Sequence, residues 1–285
     1  MTAARVVVGY TLRELTRRKV FVVVPIVTFV FVTLYLIGNL YAFRFSRGLL
    51  SEEGGLVDGR VVTGASLVGL AMFTTFFLGT VLAVFLTFAS VRGDAEAGLL
   101  QPLVVRPVGR AALLAGRYVA TVIVTGAYVF LLYAAAVVVT GVVGDWWPEH
   151  LLSSGLYLAA GMTIVAALSM LGSVFMSTIP NGIAVLMVYG AGLLGGLLGQ
   201  IGDALSSTGL ERTGRIASWV VPFEALYQAA LHELTSGATG VAAFVVRLGP
   251  LGGADPAGDW LAVWAALYVI VIGALTLRLF ARKDL

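Results

Sequence analysis

Two histidines, two lysines and no cysteine are this 285-residue chain's whole stock of the usual general bases, amine nucleophiles and soft metal ligands. His232 is followed by Glu233, but position 236 is Ser, so the His-Glu-x-x-His pair that holds a catalytic zinc is not formed. His150 has no ligand partner near it in sequence. Lys19 follows Arg18 and Lys283 precedes Asp284, so neither completes the Gly-Lys-Ser/Thr end of a phosphate-binding loop. Gly190, Gly192 and Gly195 have the spacing of a dinucleotide-binding turn, but they lie inside an uncharged run with no strand before it. The same stretch carries two overlapping Gly-x-x-x-Gly spacings, Gly192/Gly196 and Gly195/Gly199, which let helices approach closely. These residues point to helix packing. No catalytic, cofactor-binding or metal site is expected in this chain.

The chemistry that is legible is recognition chemistry, in residues 93 to 117, GDAEAGLLQPLVVRPVGRAALLAGR. Asp94 and Glu96 precede Gly98. Leu99, Leu100, Leu103 and Val104 form an apolar stripe that Pro107 ends, and Arg110 and Arg117 follow. A short amphipathic helix of this kind suits a groove on a soluble partner, its charges fixing the register. The alternative is a plain connector whose basic residues anchor topology.

The elements that hold this segment are apolar. The chain is 59% hydrophobic and 12% charged, against roughly 25% charge in a soluble domain, and its mean hydropathy is +0.99. A soluble fold of this composition would expose large apolar patches. The net charge of +3 does not argue for nucleic acid, because the bases form no polar patch. A spanning helix needs about 20 apolar residues. Uncharged runs at 20–43, 61–91, 118–144, 151–202 and 260–277 qualify, and the fourth, 52 residues long, holds two spans. Its break is expected at Thr178-Ile179-Pro180-Asn181-Gly182. The expectation is an all-α integral membrane protein of six spans, near 20–42, 63–90, 118–143, 152–177, 183–202 and 259–279. The N-terminal run is too long for a signal-peptide core and is read as a retained span.

Residues 1–19 are expected to form an amphipathic helix on the cytoplasmic surface, with Val8, Leu12 and Leu15 at helical spacing and Glu14 paired with Arg18. A basic tail is the alternative. Residues 20–285 are expected to form one six-helix transmembrane domain, with a cytoplasmic loop at 91–117 and an extracytoplasmic segment at 203–258. In that last segment Pro222 is placed to open a short helix, and the run from Leu234 to Val246 is too short to span, as interfacial or re-entrant segments are. With six spans and both termini cytoplasmic, 12 of 18 bases fall inside, as the positive-inside rule requires. The spans themselves hold essentially no ionisable group, which argues against an ion-driven carrier.

The order Asp94, Glu96, Gly98, Leu100, Leu103, Pro107, Val108, Arg110, Gly116-Arg117 resembles the loop after span two of ABC-2 type permeases. It departs from that pattern mildly, at Asp94, Leu99, Gly109 and Arg117. The N-terminal helix, six spans, the segment before span six and the Arg282-Lys283-Asp284-Leu285 ending are similar too, so the resemblance covers nearly the whole chain. It implies that Asp94, Glu96, Gly98, Leu100, Leu103, Pro107 and Arg110 contact a cytoplasmic ATP-binding subunit, which would carry the ATP and magnesium. It further implies two copies of each subunit, a homodimeric permease in the cell membrane, and export. The rivals are a non-transporting membrane scaffold or sensor that recruits a cytoplasmic partner, and an intramembrane enzyme, for which the catalytic residues are missing.

Overall fold

The computed structural model describes residues 20–49, 59–87, 110–236 and 254–282. Among these the chain is helical with no strand. Eight helices follow in order: α1 Val20–Leu49, α2 Gly59–Thr87, α3 Arg110–Gly144, α4 Leu151–Phe175, α5 Thr178–Ala204, α6 Thr208–Val220, α7 Pro222–Thr235 and α8 Leu261–Ala281. Six of them, α1 to α5 and α8, are long and apolar enough to cross a membrane. The expected amphipathic helix at 1–19 lies outside the described residues.

The centre of the bundle is α2, α3, α4 and the short α7, whose Phe76, Tyr133, Leu158, Met162, Phe223 and Tyr227 are almost fully buried. α1 packs along α2 and α3, and α8 along α4 and α7. Both turn apolar faces outward, with Phe29 and Leu34 of α1 and Val263 and Ile270 of α8 exposed. Polar side chains link the helices, as they do where no hydrophobic gradient holds spans together. Thr87 meets Ser169 at 2.5 Å, the Tyr118 hydroxyl donates to the Thr163 carbonyl at 2.9 Å, and Asn181 donates to the Ser169 carbonyl at 2.9 Å.

Two boundaries depart from the hydropathy reading. α3 begins at Arg110 rather than near 118, so Arg117 lies inside the helix and is only 9% exposed. A single long cationic side chain ends an uncharged run without ending a helix. The turn between α4 and α5 falls at Met176 and Ser177, both extended, and Thr178 to Gly182 is the first turn of α5. The physical reason is Pro180, whose ring opposes a helical carbonyl four residues earlier, at Met176. A proline therefore breaks the chain upstream of itself and sits inside the helix that follows.

α6 and α7, 13 and 14 residues long, are each about 20 Å at 1.5 Å per residue, short of a bilayer core of about 30 Å. They form a hairpin whose path is fixed by its neighbours. Along α6 and α5 the facing pairs run Glu211 with Gly202, Gly214 with Gly199, and Ala217 with Gly195; Phe223 then faces Gly192. Along α7 and α4, Phe223 meets Gly161, the Ser154 hydroxyl donates to the Ala230 carbonyl at 2.8 Å, and Ser153 donates to Glu233 at 2.6 Å. The hairpin enters from the end where α5 finishes and leaves where α4 starts. Its tip at Val221 lies beside Gly161 and Gly192, ten residues from the start of α4 and twelve from the end of α5, about 15 to 18 Å inward. The hairpin is thus inserted between α4 and α5.

Candidate functional site

The hairpin turns because Pro222 disfavours helical backbone at Val221, which is non-helical at φ −130°, ψ 76°. Proline also opens α7 at its first position, and Glu224 and His232 stand in its first and last turns. Glu224 is fully buried. Its Oε1 accepts from Gln228 Nε2 at 2.6 Å and its Oε2 accepts from the Ser218 hydroxyl at 2.7 Å. That hydroxyl also lies 3.2 Å from the Gly214 carbonyl. It has one proton, so it donates to Glu224 when the carboxyl is ionised, and to Gly214 when the carboxyl is protonated and itself donates. Burial pushes the Glu224 carboxyl up from the ordinary glutamate value; the hydrogen bonds from Gln228 and Ser218 oppose this, and Asp255 adds to it.

Glu224 forms part of the wall of an open cavity of about 460 Å³ lined by α5, α6, α7, the 254–260 segment and the first turn of α8. Asp203, Glu211, Asp255 and Asp259 share this wall, and Arg215 is the one basic residue in it among the described residues. Trp219, Trp260 and Trp264 supply its aromatic side. The Trp219 and Trp264 rings lie 5.3 Å apart, and Trp264 Nε1 donates to the Trp219 carbonyl at 3.1 Å, fixing the hairpin to α8. Deep in the wall, Gln228 is 6% exposed and its Oε1 has no hydrogen-bond partner among the described residues. The hydroxyls of Tyr189 and Tyr227 are likewise buried without a partner.

The four glycines of the overlapping Gly-x-x-x-Gly spacings all lie on α5 and face the hairpin. A Cβ would meet the Phe223 ring at Gly192, Ala217 at Gly195, and Glu224 and Gln228 at Gly196, while at Gly199 it would touch the Gly214 Cα at 3.6 Å. Asp94, Glu96, Gly98, Leu100, Leu103 and Pro107 lie outside the described residues, and Arg110 is the first residue of α3. His232 Nδ1 lies 3.1 Å from the Ala254 carbonyl and ties the end of α7 to the segment before α8. Trp146 packs over Gly64 and Trp147 over Gly141. No three His, Cys, Asp or Glu side chains converge to hold a metal among the described residues.

Sequence reasoning missed the cavity. All of its ionisable groups but Asp259 lie in the stretch read as an outer segment, where charge is expected, and a census confined to the spans passes over Glu224. The available signal was a lone carboxylate two residues after a proline, with Gln228 one helical turn on, inside the otherwise apolar run 219–231.

Six helices long and apolar enough to cross a membrane, packed with a short helical hairpin, define a polytopic α-helical membrane protein. The sequence profile of the ABC-2 family transporter protein matches residues 6–285, and the chain belongs to that family. It is accordingly the membrane-spanning component of a transporter. No curated protein matches it.

Proposed function

We propose that the chain is the permease subunit of an ATP-binding-cassette exporter, driven by a separate cytoplasmic ATP-binding subunit and working as two copies of each. The observation that carries this reading is family membership across residues 6–285, in a chain whose two lysines fit no phosphate-binding loop. ATP and magnesium then bind on the partner. Residues 91–117 are the segment it receives, with Asp94, Glu96, Gly98, Leu100, Leu103, Pro107 and Arg110 at the contact. The form of α3 supports such coupling: it runs unbroken for 35 residues, about 50 Å, from Arg110 through the centre of the bundle. A displacement at its first turn reaches the opposite end without a hinge.

The test is capture of an ATPase. The chain is purified under mild conditions into lipid nanodiscs from its native cell, beside a Glu96→Ala, Arg110→Ala double variant. A P-loop subunit should accompany the wild type and drop away, or lose coupled turnover, with the variant. If none accompanies the wild type, the scaffold reading replaces this one. Placement in the cell membrane with both termini cytoplasmic is checked separately. The chain has no cysteine, so Thr2→Cys should react with an impermeant maleimide only in inside-out vesicles, and Ser206→Cys only in right-side-out ones.

A further inference from the structure

The cavity at the hairpin combines features that packing alone does not require. Among the described residues, five carboxyl groups and one guanidinium line it, and one of the carboxyls, on Glu224, is fully buried. Beside it Gln228 is almost as deep, and its Oε1 is an acceptor with no donor among the described residues. Three indole rings complete the lining.

We propose that this cavity binds an organic ammonium ion, a protonated primary or secondary amine carrying an aromatic or apolar body. The excess of carboxylates selects a cation. The unpaired Gln228 Oε1 selects one with an N–H to give, since an acceptor held in a dry wall gains most from a charged donor. The indole faces of Trp219 and Trp260, which are 56% and 74% exposed, suit both a cation and its apolar body. A metal ion is not favoured, because no three of the carboxylates come close enough to hold one. A volume of about 460 Å³ falls within the range of sites for small organic molecules. Glu224 and Gln228, one turn apart on α7, are the most buried polar groups of the lining, and Asp259 stands at the exposed mouth.

Binding at this place needs neither ATP nor a partner, so its test stands apart from ATPase capture. The chain in nanodiscs is titrated calorimetrically with phenethylammonium chloride, with empty nanodiscs subtracted. 2-Phenylethanol and the N-trimethylated analogue serve as probes without charge and without an N–H. The ammonium should bind at least about tenfold more tightly than either, and Glu224→Gln should weaken it by at least about tenfold. Asp259→Asn, at the exposed mouth where folding is not at risk, should weaken it about threefold. Equal affinity for the alcohol and the ammonium overturns the proposal. So does binding within about twofold of wild type in both variants.

Discussion

Gly196 of α5 lies directly against the carboxyl of Glu224 on α7, so that a Cβ at position 196 would overlap Oε1. The buried carboxyl keeps its place because α5 has no side chain there. Gly196→Ala must displace either the hairpin or the hydrogen bonds of Glu224. It is expected to cost about 1 to 3 kcal/mol as overpacking and to lower the midpoint of thermal unfolding followed by tryptophan fluorescence. Gly190→Ala is the control. A Cβ there meets nothing within 4 Å, and its midpoint should hold or rise slightly, because alanine favours helix. Equal losses at the two positions would show that the close approach does not matter.

Glu224 also sets a pH dependence whose sign can be worked out. Burial raises its pKa above the ordinary value of 4.5, so in an interval above that value the folded chain keeps a proton that the unfolded chain has lost. Stability is then fully present below the ordinary value and declines as pH rises through the raised one. Asp203, Glu211, Asp255, Asp259 and Arg215 from the surrounding elements, and Tyr227 on α7, remain in both proteins when wild type is compared with Glu224→Gln. The expected result is a midpoint that falls with pH in the wild type and falls less in the variant. Parallel curves would place the titration elsewhere.

A polar relay joins α1 to α3. The Thr140 hydroxyl donates to Asn39 Oδ1 at 3.0 Å, so the Tyr35 hydroxyl, 2.6 Å away, is the donor to Thr140, and Asn39 Nδ2 donates to the Tyr35 carbonyl at 2.8 Å. Tyr35→Phe removes the outer link alone and should cost about 1 kcal/mol, the usual worth of a polar contact between spans. Thr140→Val removes the hydroxyl that both neighbours use, taking the donor from buried Asn39 Oδ1, and should cost more, about 1 to 3 kcal/mol. In the double variant the losses should sum to less than their total, read as coupling in a double-mutant cycle of unfolding free energies. Strict additivity would dissolve the relay into separate contacts.

Pro180 offers a test of the helix boundary. It stands in the first turn of α5, where no intrahelical hydrogen bond is lost to it, so Pro180→Ala should change stability by less than about 0.5 kcal/mol. Val185→Pro, one turn and more further in, should cost about 3 kcal/mol or greater. A large loss at 180 would restore the turn that hydropathy places at 178–182.

The contrast at Pro180 shows which levels of structure were legible beforehand. Six spans could be read because a membrane demands about 20 apolar residues for each, and runs of that length survive any doubt about single positions. Their ends could not, because Arg117 and Pro180 look like boundaries and are accommodated inside helices by geometry that hydropathy does not hold. Pro222 was readable as a helix start because its rule is local. The cavity was not, because Glu224, Trp264 and Asp255 are brought together only by the hairpin's depth, which depends on glycines of α5 thirty residues earlier. The partner contacts expected in 91–117 rest on resemblance, and of the seven residues named for them only Arg110 falls within a described helix.

The hairpin has one leg on α5 and the other on α4, and its tip is the short linkage Val221–Pro222. It therefore works as a wedge between two neighbouring spans. If α5 tilts against α4, the legs must splay or close about that linkage, since each is locked to a different wall. The chamber behind them changes shape by the same motion. Its capacity is thus a readout of the angle between two spans, and whatever occupies it biases that angle in return.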